Sequence, residues 1–422
     1  MKALTKISIG FLALAAAALW FTSCSSEDVA QNGGSQGNTY LTLSINTGDV
    51  SNTRASDWTA SVPGNTDENK INNMTVGIFD KDGNVRTIVD LAENKETGKS
   101  VPNSYTLSTV SGTTTATANI VTSSLTATDV VLVAVNAPAN KFAGVTTQSD
   151  FNKVSETLAD AVTSTTEKTK ETNTKIPMYG EGKLTGSESN YSATVDVYHM
   201  LAKVTLESLK VDFKADGPYK SAKFTPTAFF MINVPENFQF KGTVANKLNE
   251  AWTSTTSMYH AWNDSENYAT PNTAATSMGN YAQYLTTEAL GITSALTGNA
   301  DATSTNTCSK KACFYVTPSA ATEEGGKNMK LVIAGTFENG TKTSTVYYPI
   351  PLNASYAADG TVSPAVSGTT TYAVYPNVDY HCKVVIRSIG AATPNVNLSP
   401  ETASITITVK DFVTAEQNTE FN

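Results

Sequence analysis

Histidine, cysteine and arginine are the scarce residues of this 422-residue chain, and their positions limit the chemistry it can do. His199, His260 and His381 stand far apart and form no His-x-x-x-His pair, so no zinc site can be built from sequence neighbours. Asp80, Asp82 and Asn84 imitate half of a calcium loop. The glycine there, Gly83, is at the wrong position and the closing glutamate is missing. No phosphate-binding glycine loop occurs. The chain is therefore expected not to be an enzyme and to need no metal or other cofactor.

The N-terminus carries a different kind of chemistry. Lys2 and Lys6 precede the apolar run 7–21, which is too short for an ordinary membrane span and suits a secretory signal. The run closes on Phe21-Thr22-Ser23-Cys24, which resembles the lipobox of bacterial lipoproteins, although Phe21 stands where leucine is usual. That resemblance makes Cys24 the acylated N-terminal residue, held in the outer membrane at roughly 0.8 kcal/mol per buried CH₂. Ser25-Ser26-Glu27-Asp28 resembles a surface-export signal, and 29–38 reads as a flexible spacer. With Cys24 lipidated, Cys308, Cys313 and Cys382 remain, enough for one disulfide: Cys308–Cys313 locally or Cys313–Cys382 across strands.

The elements around these residues read as β-structure. Charged residues make up 16% of the chain and hydrophobic residues 40%, enough for packed cores, and the formal net charge of −9 with no basic run argues against nucleic acid. Tyr40–Asn46 alternates strictly, placing Leu41, Leu43 and Ile45 on one face of a strand. The polar stretch 48–56 follows, a composition that proteases nick. It contains Arg54, one of three arginines (with Arg86 and Arg387) among 29 basic residues, so an Arg-specific protease has one good target, followed by Ala55.

Further along, 74–79 and 85–89 flank an Asp-Gly centre and predict a hairpin. The apolar run 130–136 predicts a strand buried on both faces. Phe151, Val154, Leu158 and Val162 recur at helical spacing and predict a short helix within 148–170 that caps the first domain. An aromatic-rich insertion runs from 252 to about 305, with Tyr259, Trp262, Tyr268, Tyr281 and Tyr284; its aromatics are expected to pack the insertion itself rather than stack on sugars. After a Pro/Asn-rich linker the C-terminus offers a second alternating strand, with Ile405, Ile407 and Val409 on one face and Phe412 and Val413 following.

Lipobox, spacer, single strand, Thr-Arg-Ala site and spare terminal strand, in that order, resemble the Bacteroidetes fimbrillins of the FimA type, and the resemblance covers essentially the whole chain. The segment His199–Leu206 is similar to the family's domain junction, and Val409-Lys410-Asp411-Phe412 to its C-terminal ending, with Phe412 where tryptophan is commoner. The resemblance implies an all-β protein of two transthyretin-like, Greek-key β-sandwich domains with short helices and a C-terminal donor strand. Its parts would be a signal peptide (1–23), a propeptide with the removable strand (24–54), an N-terminal domain (55–190), a C-terminal domain (191–390) and a tail (391–422). It further implies cleavage between Arg54 and Ala55 by an Arg-specific surface protease, loss of Leu41, Leu43 and Ile45 from the core, and their replacement by a neighbouring copy's tail. The implied partners are other copies of the chain, anchor and tip pilins, and host or bacterial surface ligands. The competing expectations are a surface glycan-binding lipoprotein and a tip or anchor subunit.

Overall fold

The computed structural model describes residues 39–47, 68–96, 99, 101–110, 113–122, 124–161, 175–187, 190–235, 237–240, 258–259, 284–286, 295–298, 312–320, 328–356, 361–366, 368–394, 398 and 403–411. In chain order the first half carries β1 (Thr39–Thr47), β2 (Met74–Phe79), β3 (Val85–Glu93), β4 (Ser104–Val110), β5 (Thr113–Thr122), β6 (Val130–Val135), α1 (Gln148–Lys153), β7 (Ser155–Thr157), α2 (Leu158–Ala161), β8 (Met178–Lys183), β9 (Thr185–Ser187) and β10 (Asn190–His199). The second half carries β11 (Ala202–Val211), β12 (Lys223–Ile232), β13 (Val234–Pro235), β14 (Asn237–Gln239), β15 (Met258–Tyr259), β16 (Tyr284–Thr286), β17 (Leu296–Thr297), β18 (Ala312–Val316), β19 (Lys330–Asn339), β20 (Lys342–Pro351), β21 (Ser355–Tyr356), β22 (Val362–Ser363), β23 (Val378–Ile386) and β24 (Ala403–Asp411). Among the described residues, helix is confined to α1 and α2.

In the first half the hydrogen-bonded path β1-β5-β4-β3-β2-β6-β8-β10 returns to its start, because β10 also pairs with β1. Two joints in this ring are short. β3 meets β4 at Ala92↔Ser104 and Glu93↔Tyr105, and β10 meets β8 at Tyr198↔Tyr179 and His199↔Met178. The ring is therefore flattened into two faces with a core between them. Alternation decides what enters that core: Val76 and Ile78 of β2 and Val131, Val133 and Val135 of β6 point inward. Phe79, Leu132 and Ala134 point the other way, into the cluster shared with the second half. The run 130–136 thus reads as an unbroken apolar stretch because both of its faces are covered.

The predicted hairpin is present, β2 pairing antiparallel with β3. Its turn is held by Asp80, whose Oδ1 accepts from the backbone N–H groups of Asp82 and Asn84, both at 2.9 Å, while Gly83 takes φ +83°. These bonds hold the Asp80 carboxyl below its usual range. The short helix predicted within 148–170 is present as α1, but its extent is corrected: α1 stops at Lys153, and Val162 lies outside the described residues. The Val154 carbonyl accepts from the Phe240 N–H (2.9 Å), and β7 pairs with β14 from the other half. A pairing partner more than 80 residues away overrides the local helical spacing.

At the second joint of the ring, β8 lies so close to β10 that side chains do not fit. A Cβ on Gly180 would press on the Asp196 carbonyl and come 2.7 Å from Val195 Cγ1, and one on Gly182 would come 2.7 Å from Val195 Cγ2. Gly180→Ala is expected to cost about 3 kcal/mol through this overpacking, read as a lowered urea midpoint with an unchanged slope.

The second half stacks two sheets, β18-β11-β23-β24 and one in which β12, β19 and β20 follow β16, with β17 also on β12. Phe224, Phe229, Ile333, Tyr348, Tyr380 and Val384 are among the residues buried between them. The insertion from 252 to about 305 contributes β16 and β17 to the edge of β12 and β15 to a pair with β13. Sheet membership also moves the expected division between the halves. β10 completes the first ring and runs to His199, so 190/191 falls at the start of a strand rather than between domains. Phe142 stacks on Phe151 (centroids 4.1 Å apart) and meets Phe240 edge-on at 5.4 Å, so the halves share a continuous apolar contact.

Candidate functional site

The first alternating strand occupies a slot in the ring. β1 pairs antiparallel with β5 from Thr39↔Thr122 to Thr47↔Thr114 and parallel with β10 from Tyr40↔Asn190 to Thr47↔Val197. Leu41, Leu43 and Ile45 are fully buried, at 0% exposure. Leu43 is level with Ala118 on one side and Ala193 on the other, so the middle of the slot is floored by small residues and filled by a large one. Burial of the three side chains contributes roughly 5–9 kcal/mol gross, at about 1.5–3 each. Without β1, the ladder edges of β5 and β10 and this apolar floor would lie open together.

The other two arginines lie within the described structure. Arg86 is on β3, its Nε 2.6 Å from a carboxylate oxygen of the fully buried Asp129. Arg387 follows β23 directly, 3.5 Å from Asp212. Cys24, Arg54, Ala55, Cys308, Phe412 and Val413 lie outside the described residues.

The tail strand β24 is paired in this chain. It runs antiparallel to β23 from Val378↔Asp411 to Ile386↔Ala403 and forms the edge of its sheet, with Ile405, Ile407 and Val409 level with Val384, Cys382 and Tyr380. A cross-strand Cys313–Cys382 disulfide does not fit this topology. β18 and β23 lie on opposite sides of β11, two strand spacings apart (about 9.5 Å), beyond the roughly 7 Å that a disulfide spans between Cα atoms.

Sequence reading missed a polar cluster between the halves. Glu68, buried just beyond 48–67, takes Lys203 Nζ at 2.7 Å and the Tyr315 hydroxyl on one carboxylate oxygen. His199 donates its backbone N–H to Asn377 Oδ1 (3.2 Å), and its Nε2 lies 3.1 Å from the Glu68 carbonyl oxygen. Nearby, Asp379 accepts from Thr205 Oγ1 (2.9 Å) and contacts His381 Nε2 (2.9 Å). The cluster ties the chain after 67 to β11, β18 and β23. Only Lys203, charged within an otherwise apolar Ala-Lys-Val strand, signalled it.

Comparison with known proteins places this architecture. The model of the family "Major fimbrial subunit protein (FimA)" matches residues 39–207, from the start of β1 into β11. Over these residues the chain resembles the FimA-type fimbrillins. The fimbrillin fold extends over the rest. A fimbrilin (FimA) from Porphyromonas gingivalis W83 superposes with TM-score 0.51 at 14% identity, covering 90% of this chain and 99% of that one. A candidate cell adhesion protein from Bacteroides eggerthii gives 0.53 at 18% identity (90% and 98% covered), and one from Parabacteroides distasonis gives 0.58 at 12% (90% and 99%). No curated protein matches the chain. The matched model is that of a major subunit of a cell-surface appendage, the fimbria.

The junction cluster is expected to make the protein acid-sensitive. Burial pulls the His199 pKa down to about 4, more than its hydrogen bonds raise it. The unfolded chain therefore takes up a proton near pH 6.5 that the folded chain refuses, so this stability is present above pH 6.5 and lost as pH falls towards 4. Burial raises Glu68 and acts in the opposite sense, since the folded chain holds that proton more tightly. Relative to the parent, His199→Gln is expected to retain roughly 2 kcal/mol more of its stability between pH 7 and pH 5, read from urea midpoints at the two pH values.

Proposed function

We propose that this protein is a fimbrillin and the shaft subunit of a pilus, assembled by exchange of strands between copies. It is exported as a lipoprotein held by Cys24 at the outer membrane and cut between Arg54 and Ala55 by an Arg-specific surface protease. The cut releases β1, and the tail of a neighbouring copy enters the vacated slot through Ile405, Ile407 and Val409, with Phe412 and Val413 beyond them. Each subunit then gives a strand on one side and receives one on the other. A head-to-tail contact of this kind does not close on itself and builds a filament. Anchor and tip pilins would occupy its ends, and the shaft would carry adhesion to host or bacterial surfaces.

The observation that carries this reading is the seat of β1. It closes the ring between β5 and β10, and its three apolar residues are fully buried. Arg86 is a poorer target than Arg54, because its place on β3 and its contact with the buried Asp129 hold it away from the conformation a protease needs. The deciding measurement is the N-terminal sequence and intact mass of protein on purified filaments. Protein beginning at Ala55, without lipid, is expected; surface protein that begins at Cys24 and forms no polymer would sink the reading and favour a glycan-binding lipoprotein.

A further inference from the structure

The slot has an outward side as well as an apolar floor, and its two ends differ. Thr42, Ser44 and Asn46, which alternate along β1 with the inward Leu41, Leu43 and Ile45, are each level with one residue of β5 and one of β10. Thr42 lies between Asn119 and Ser192, Ser44 between Thr117 and Thr194, and Asn46 between Thr115 and Asp196. Of these six flanking residues only Asp196 is charged. It is partly exposed, between the buried Val195 and Val197.

The tail has the same asymmetry. Ser404, Thr406, Thr408 and Lys410 alternate with Ile405, Ile407 and Val409, and Lys410 is the one charge among the seven. On its own subunit the tail already lies with Lys410 level with an aspartate, Asp379 of β23.

We infer that Asp196 sets the direction in which a neighbour's tail lies in the slot, by pairing with Lys410. This rests on the strand-exchange reading above. The apolar floor cannot choose a direction, because three inward residues two apart read alike both ways and Ile407 lands between Ala118 and Ala193 in either case. The outward side can. A tail running as β1 runs puts Ile405, Ile407 and Val409 where Leu41, Leu43 and Ile45 lie, Ser404 level with Asn190, and Lys410 level with Asp196. A reversed tail puts Lys410 between Val121 and Asn190, leaves Ser404 level with Asp196 and Thr115, and provides no opposite charge at either end. The favoured direction also keeps the existing hydrogen-bond pattern, antiparallel to β5 and parallel to β10.

The test uses the full chain, cut at Arg54 and allowed to polymerise, with paired cysteines and yields normalised to folded monomer. Ser404→Cys with Asn190→Cys is expected to give intermolecular cross-links, and Ser404→Cys with Thr115→Cys is not. Asp196→Lys is expected to lower the cross-linked yield of the first pair about tenfold, by replacing an attraction with a repulsion. Adding Lys410→Asp should restore it. Cross-linking through Thr115→Cys, or indifference to charge reversal, overturns the inference. Filaments that cross-link through neither pair overturn it as well, while leaving exchange itself standing. A parent chain that is cut and forms no filament removes the strand-exchange reading, and the direction with it.

Discussion

A chain carrying Arg54→Ala is expected to remain monomeric after protease treatment, with filament yield reduced at least ~1,000-fold by sedimentation and electron microscopy. The physical reason is the seat of β1. As long as the strand is covalently attached, a neighbour's tail must displace three fully buried side chains and two hydrogen-bonded edges. It would replace roughly 5–9 kcal/mol of apolar burial with an equivalent amount, and would lose the advantage of intramolecular attachment. Each 1.4 kcal/mol of that disadvantage is about tenfold in the equilibrium. Thermal stability of the uncut variant should equal that of the uncut parent. Filaments at the parental yield would show that β1 need not leave.

The second large effect concerns the tail. A chain ending at Pro400 lacks β24 yet keeps the slot, so after cleavage it should accept a tail and offer none. Alone it is expected to give no filaments. Mixed with parent at about one in ten, it should terminate growth at one end and shorten filaments to roughly ten subunits, as a head-to-tail chain requires. Because β24 also covers the edge of β23, the truncated chain needs a companion. Ile407→Asp keeps the tail's length and backbone pairing and places a carboxylate where the slot is floored by Ala118 and Ala193. It should give the same loss of polymer when yields are normalised to folded monomer, a normalisation needed because Ile407 is also level with the buried Cys382 of its own subunit. Normal filaments from Ile407→Asp would place the donor elsewhere in the chain.

The sequence was most legible where alternation is local. Leu41, Leu43 and Ile45 were readable as one face because a strand's period is two, and the Asp80–Asn84 turn because its residues bond one another. What lay hidden depends on partners far along the chain. That β1 sits between β5 and β10 is not written in β1, nor does Glu68, in a polar stretch without periodicity, signal its pairing with Lys203 and Tyr315 from 135 and 247 residues away. The helix predicted within 148–170 is present as α1 but does not continue at the predicted spacing for the same reason, since β14 captures Ser155–Thr157.

The return of the first sheet on itself has a consequence for timing. A ring of strands offers no vacant lane, so on this reading the precursor cannot seed a fibre however crowded its export route becomes. Growth waits for a hydrolysed peptide bond rather than for a threshold concentration. Since that bond is not remade, each subunit passes once from inert to competent, and the supply of cuts sets how much filament a cell can raise.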